Sequence, residues 1–337
     1  MYKRNILFSL TKAAKSCLFV IIAIMPFIGF SQQEPQFTQY MFNRLSYNPA
    51  YAGSNGAMCL TGFYRNQWVG LKLTDVNNGN PSTPTTTNFS FDFPIRILHG
   101  GLGATVVSDK IGYWDQTFLK LDYAYRLELP TGNLAFGVEA QFFSSAIDFA
   151  KLVGSDQINE IDQIIPSNDP VLSNASQQND FLFDLGLGAY YQIPGKFYAG
   201  LSTAKLLETK SEKLKWQDKR HYFILAGYEW TIPAYPSFRV LPSAILKTEF
   251  STFQLDATAL LEYNYMFWGG VNFRIQDAIS VLGGLTLGGF KLGMAYDIPI
   301  GRMSIKSYGS FELFVRYCFK VENQPKPPTS YRNTRMN

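Results

Sequence analysis

The sequence predicts an all-β chain folded as a single transmembrane antiparallel β-barrel of about 14 strands. Three observations carry that prediction. The first is alternation. In 308–320, Phe311, Leu313, Val315, Tyr317 and Phe319 share one face, and Glu312, Phe314, Arg316, Cys318 and Lys320 share the other. That is the two-residue period of an extended strand, not the period of a helix. The second is composition. Aromatics make up 16% and charged residues 17% of the 337 residues, while mean hydropathy is near zero. Strands that average a lipid-facing and a lumen-facing side produce such a middling value. The third is the parity of the connections. Long ones at 69–84, 145–180, 205–219 and 298–307 all follow odd-numbered strands, and every connection after an even-numbered strand is short. Long loops on one side and tight turns on the other is the pattern of barrels that cross a membrane.

The elements follow in order. Lys3, Arg4, Lys12 and Lys15 precede an apolar run from Leu18 to Phe30, which reads as a secretory signal peptide over 1–31. The run is too short for a membrane-spanning helix. Those four bases, with no acid beside them, leave 26 basic against 26 acidic residues in the rest of the chain. A neutral mature chain gives no electrostatic footing for nucleic acid. Residues 32–56 show neither period and contain Pro35, Pro49, Gly53 and Gly56. They are expected to form an ordered plug that starts on the periplasmic side and packs under or inside the barrel. Tyr40, Phe42, Tyr47 and Tyr51 are its packing residues, and Asn48–Gly53 makes a turn.

The barrel itself is placed at 57–320. Strands are expected near 57–68, 85–93 and 100–109. Strand 4 then sets Leu119, Leu121, Tyr123, Tyr125 and Leu127 against Lys120, Asp122, Ala124, Arg126 and Glu128. After Pro130-Thr131-Gly132, strand 5 sets Leu134, Phe136, Val138 and Phe142 against Gly137, Glu139 and Gln141. Further strands lie near 181–192, 196–204, 220–231, 237–247, 252–263, 266–275, 278–286, 289–297 and 308–320. An even count places both termini in the periplasm. The connection 145–180 holds six acids and one base, with Ile158, Ile161 and Ile165 spaced for a short helix. The connection 205–219 is basic and reads as a solvated loop. Pro242 inside strand 9 removes a ladder donor, for which a bulge is the expected remedy. The tail 321–337 reads as a flexible periplasmic extension.

No catalytic, cofactor or metal constellation is legible. The mature chain has two histidines, His99 in a turn and His221 at the far end of a strand, which are not placed to share a site. The expectation is therefore a non-enzyme without cofactors. Candidate functional residues fall into two sets. The plug and partner set is Gln36, Gln39, Tyr40, Asn48, Pro49, Tyr51 and Gly53. The lumen charges are Lys120, Asp122, Arg126, Glu128, Glu139, Glu312 and Arg316, expected to compensate one another across facing strands. Closure requires strands 1 and 14 to pair, which brings Cys59 and Cys318 to the same end and the same face. A disulfide is compatible with an oxidising periplasm, but two buried free thiols are the default expectation.

Several blocks resemble the PorP/SprF family. They are Gln36-Phe37-Thr38-Gln39-Tyr40, Asn48-Pro49-Ala50-Tyr51-Ala52-Gly53-Ser54, and Tyr64-Arg65 with Gln67-Trp68. The likeness continues through Gly101 and Gly103, Asp109 and Gly112, Tyr123-Ala124-Tyr125, Leu241-Pro242-Ser243 and Trp268-Gly269-Gly270. It takes in Phe273-Arg274, Asp277-Ala278, Tyr296-Asp297, and Gly309-Ser310 with Glu312. The resemblance implies an outer-membrane protein of the Bacteroidetes type IX secretion and gliding machinery. The implied partners are a secreted adhesin-like surface protein and translocon or motility components, beside membrane lipid and lipopolysaccharide. An alternative reading is an outer-membrane solute channel related to hydrophobic-compound transporters.

Overall fold

The computed structural model describes residues 34–71, 83–112, 114–147, 178–213, 216–305 and 307–319. The expected leader 1–31, the helix expected near 158–165 and the expected flexible extension 321–337 lie outside the described residues. Within them, fourteen strands follow one another in antiparallel order. They are β1 Met58–Val69, β2 Thr85–Ile95, β3 Gly100–Ile111, β4 Trp114–Leu129, β5 Gly132–Ile147, β6 Gln178–Ile193 and β7 Phe197–Ala204. Then come β8 His221–Tyr228 (continued by Trp230–Ile232), β9 Tyr235–Thr248, β10 Phe253–Tyr263, β11 Phe267–Arg274, β12 Ala278–Leu287, β13 Phe290–Pro299 and β14 Gly309–Phe319. β14 pairs with β1 from Met58 opposite Phe319 to Arg65 opposite Glu312 and beyond. The sheet therefore closes on itself and leaves no free edge.

Alternation becomes geometry in this wall. On β4, Leu119, Leu121 and Tyr125 are exposed on the outer face, while Lys120 and Asp122 are buried on the inner one. An outer apolar face with a polar inner one is the inverse of a soluble fold and suits lipid outside. The connections 96–99, 130–131, 194–196, 233–234, 264–266 and 288–289 gather at one end, called here the turn end, where β1 starts and β14 stops. The opposite, loop end carries the longer connections.

Three local expectations need correction. The connection 145–180 is shorter than its composition suggested, because β5 runs on to Ile147 and β6 begins at Gln178, paired with each other. Polar residues such as Ser144, Ser145 and Asn179 hide the strand signal there. The connection 205–219 does not stand free in solvent. Residues 210–211 pair with 216–217, and Asp184 of β6 accepts bonds from the Leu207 and Thr209 amides. Finally, Pro242 makes no bulge. β9 keeps one register with β10 straight through Pro242 opposite Ala259. The missing donor falls on the β8 side, where the pairing with β9 lapses between Gly227 and Trp230. The irregularity on that side lies further on, between Thr231 and Ile232.

Candidate functional site

The inside of the barrel is occupied by the chain's own N-terminal segment. Residues 34–57 form three short 3-10 turns, Tyr40–Phe42, Arg44–Ser46 and Pro49–Tyr51. Phe37, Tyr40, Met41, Leu45, Tyr47, Ala50, Tyr51 and Ala52 are all buried. Prolines and Asn48 deny this stretch a ladder or a long helix. Its backbone groups must therefore find partners on the lumen wall, and the wall supplies them at three levels.

Near the loop end, Thr38 and Gln39 sit on an ionic cluster. Their amides donate to the Glu312 carboxylate at 2.8 and 2.9 Å. The Thr38 hydroxyl donates to Asp297 at 2.8 Å and accepts from Arg65 at 2.8 Å. Arg65 pairs with Asp297 at 2.6 Å and with Glu312 at 3.2 Å. Arg274 pairs with Asp256 at 3.1 Å and approaches Asp297 at 3.6 Å. Desolvating so many charges is costly, and the cluster is tolerated because each charge has an opposite one beside it and Glu312 also accepts from two main-chain amides.

In the middle, contacts are aromatic. Phe42 stacks on Phe314 with centroids 4.8 Å apart and leans on Trp268 at 4.9 Å. Arg44 lies 3.8 Å over the Tyr198 ring and donates to the Tyr190 hydroxyl at 3.0 Å. The Tyr40 hydroxyl is 3.2 Å from that of Ser243.

Toward the turn end, backbone meets backbone. A Cβ on Gly137 would stand 2.2 Å from the Ala50 nitrogen, and one on Gly101 would stand 2.3 Å from the Ala52 oxygen. The wall carries glycine there because nothing larger leaves room for the 49–53 turn. Asn48 locks that turn. Its Oδ1 accepts from the Ala50 amide at 2.9 Å, while its Nδ2 donates to the Ala189 and Leu201 carbonyls at 3.0 and 3.2 Å.

The direction of the segment reverses the expectation. Glu34 pairs at 3.0 Å with Lys205, the residue that follows β7 at the loop end. Gly53 lies against Asp92 and Gly101 at the turn end. The segment thus starts toward the loop end and leaves at the turn end, joining β1 there. Contacts with specific wall residues set this direction, and the one-dimensional pattern carries no information about them.

The lumen charges are also rearranged. Lys120, Asp122, Glu139 and Glu312 are buried inside, but Glu128 is exposed, four residues on from Ala124 at the turn end. Asp122 stands directly opposite Glu139, a pair of like charges, and Lys120 reaches Glu139 at only 3.8 Å. Arg126 and Arg316 serve the segment instead of wall carboxylates. Arg126 donates to the Gly53 and Ala52 carbonyls at 3.1 and 2.9 Å, and Arg316 donates to the Phe42 carbonyl and to Thr61. Of the segment candidates, Gln39, Tyr40, Asn48, Pro49, Tyr51 and Gly53 are buried, while Gln36 is half-buried. His99 is exposed in its turn, and His221 is buried against Glu249 at 2.8 Å. Cys59 and Cys318 are not free thiols. They stand directly opposite each other, 4.2 Å apart at Cα, and are joined by a disulfide.

A family model described as type IX secretion system membrane protein PorP/SprF matches residues 29–317. The chain belongs to the PorP/SprF family. It is accordingly an outer-membrane component of the type IX secretion system, and its family is one of secretion membrane proteins, not of enzymes. No curated protein matches the chain. Among solved structures, it is similar to the toluene transporter TbuX of Ralstonia pickettii at 11% identity, covering 80% of this chain and 91% of that one with a TM-score of 0.48. The CymD monoaromatic hydrocarbon channel gives 13% identity, 88% and 96% coverage, and 0.47. Omp33 of Acinetobacter baumannii gives 8%, 78% and 98%, and 0.44.

The blocks by which this PorP/SprF chain resembles its family converge in space. Thr38 and Gln39 from the first block, Arg65 from the third, and Arg274, Asp297 and Glu312 from blocks more than two hundred residues away all meet in the loop-end cluster. Sequence reasoning named Gln39 and Glu312 as candidates but missed Thr38, Arg65, Arg274, Asp256 and Asp297. The signal available was that each lies on the inward parity of its strand or in the segment, and that all but Asp256 fall within a block of likeness.

Proposed function

We propose that this PorP/SprF barrel is a non-enzymatic part of the type IX machinery that supports export or surface retention of an adhesin-like secreted protein. In this reading the turn end and the C-terminus face the periplasm, and the loop end faces outward. Lipid and lipopolysaccharide surround the outer apolar face, and translocon or motility components engage the exposed ends. The observation that carries the reading is the lumen filled by residues 34–57, bonded to the wall from Glu312 at one end to Arg126 at the other. A barrel whose interior is a packed core serves as a rigid holder for loops that bind a partner. A solute channel, the alternative, needs a continuous passage, and the buried packing of 34–57 inside the barrel favours the holder over the channel.

Two measurements test the proposal. Purified barrel in planar bilayers should give no stable conductance steps, whereas steady open-channel current would favour the solute channel. In cells, deleting residues 149–176 should leave the heat-modifiable barrel intact and reduce a co-purifying surface protein. Unchanged surface display in that strain would overturn the partner role.

A further inference from the structure

The Cys59–Cys318 disulfide lies at the seam where the first strand meets the last, across a sequence separation of 259 residues. Register makes the pair specific. Cys59 faces Cys318 only when Met58 faces Phe319 and Thr61 faces Arg316. A one-residue slip would turn one sulfur to the lipid face, and a two-residue slip would set Cys59 opposite Arg316 or Lys320. Between the paired strands, the two thiols therefore stand opposite each other at this register alone. Their surroundings differ. Cys59 is wholly buried and accepts from Asn55 Nδ2 at 3.6 Å, where the lumen segment hands over to β1. Cys318 is half-buried at the turn end, one residue before the last described residue.

We propose that this pair is a covalent lock on barrel closure, made after β1 and β14 have paired, by a periplasmic protein carrying a reactive disulfide that enters through Cys318. The inference rests on the orientation given above, with the turn end in the periplasm. The Cys318 thiolate attacks one sulfur of the oxidant, giving a mixed disulfide and releasing one oxidant thiolate. The Cys59 thiolate then attacks the Cys318 sulfur and expels the second. The chain gives up two electrons and two protons, and the oxidant leaves as a dithiol. Cys59 cannot take the first step in the closed barrel, because its sulfur is covered. The lock fixes the strand pair beside which the lumen segment leaves the interior.

A non-reducing peptide map of full-length protein from outer membranes should show the Cys59–Cys318 linkage. Two alkylatable thiols in the folded barrel would overturn the lock. Acid-quenched Cys59→Ser should accumulate a mixed disulfide with a periplasmic oxidant, and Cys318→Ser should lose that adduct. The reverse pattern, or equal adducts, would overturn entry through Cys318. Should Cys59→Ser fail to assemble, pulse-labelled wild-type chain decides the order of events. The linkage should appear only in the heat-modifiable band, and its presence in unfolded chain would overturn closure before oxidation. Labelling of Cys318 by impermeant maleimide on intact Cys59→Ser cells would overturn the orientation, which the peptide map does not depend on.

Discussion

Arg65 on β1 and Asp297 on β13 lie 2.6 Å apart, although β14 runs between their strands. They meet over Glu312 of β14, which stands directly opposite Arg65, and Thr38 of the lumen segment bonds to all three. The barrel seam and its internal segment are thus fastened by one set of side chains.

Arg65→Met should therefore weaken barrel and segment together. Removing one partner of a buried ion pair costs about 3–5 kcal/mol, and here two carboxylates lose their shared cation. Urea titration followed by heat-modifiable mobility should show a lower midpoint, with earlier proteolysis between 34 and 57. An unfolding free energy within about 0.5 kcal/mol of wild type would show that the cluster contributes nothing.

Gly137→Val should evict the 49–53 turn while the strands still close. Its Cβ would fall 2.2 Å from a backbone nitrogen, which no rotamer relieves, and overpacking of this sort costs about 1–3 kcal/mol. Valine itself suits a strand. The expected readout is an intact barrel band with a segment newly open to protease, and wild-type protection would refute the glycine argument.

Asn48 separates shape from charge. Asn48→Ala leaves the Ala189 and Leu201 carbonyls without their side-chain donor, at a cost of about 1–3 kcal/mol. Asn48→Asp fits the same space but turns a carboxylate on those two carbonyls, so it should be the worse of the two at neutral pH. Thermal midpoints of the two variants check the ranking. Equal midpoints would mean that Nδ2 donation does not matter.

The Glu34–Lys205 pair gives a pH prediction. Burial pushes the Glu34 carboxyl up, but Lys205, with help from Lys120 and His221, pulls it down to about 2. Burial likewise pushes Lys205 down, and Glu34 and Asp218 more than offset this, raising it above the usual lysine range. A depressed carboxylate adds stability that is fully present above its unfolded value and is lost as pH falls through the folded one. The advantage of wild type over Glu34→Gln should then be flat from about pH 5 to 10. It should fade between about 4.5 and 2, with a size on the order of 3 kcal/mol. An advantage that already fades between pH 8 and 6 would contradict the pairing.

Alternation, composition and the parity of the connections in the sequence were enough to determine the closed barrel, its strand order and the faces of β4, β5 and β14. A two-residue period fixes inside against outside, and Pro35, Pro49 and the glycines of 32–56 exclude that stretch from the ladder. Alternation does not fix height. Which inward side chain on one strand meets which on another depends on register and shear, properties of the closed sheet. Only the tertiary structure therefore decided that Asp122 faces Glu139, that Arg126 and Arg316 hold the segment's carbonyls, and that Arg65 reaches Asp297. The course of 34–57 from loop end to turn end was decided in the same way, by wall partners distant in sequence. So was the bond between Cys59 and Cys318, because a disulfide needs two sulfurs at one height and parity supplies only a common face.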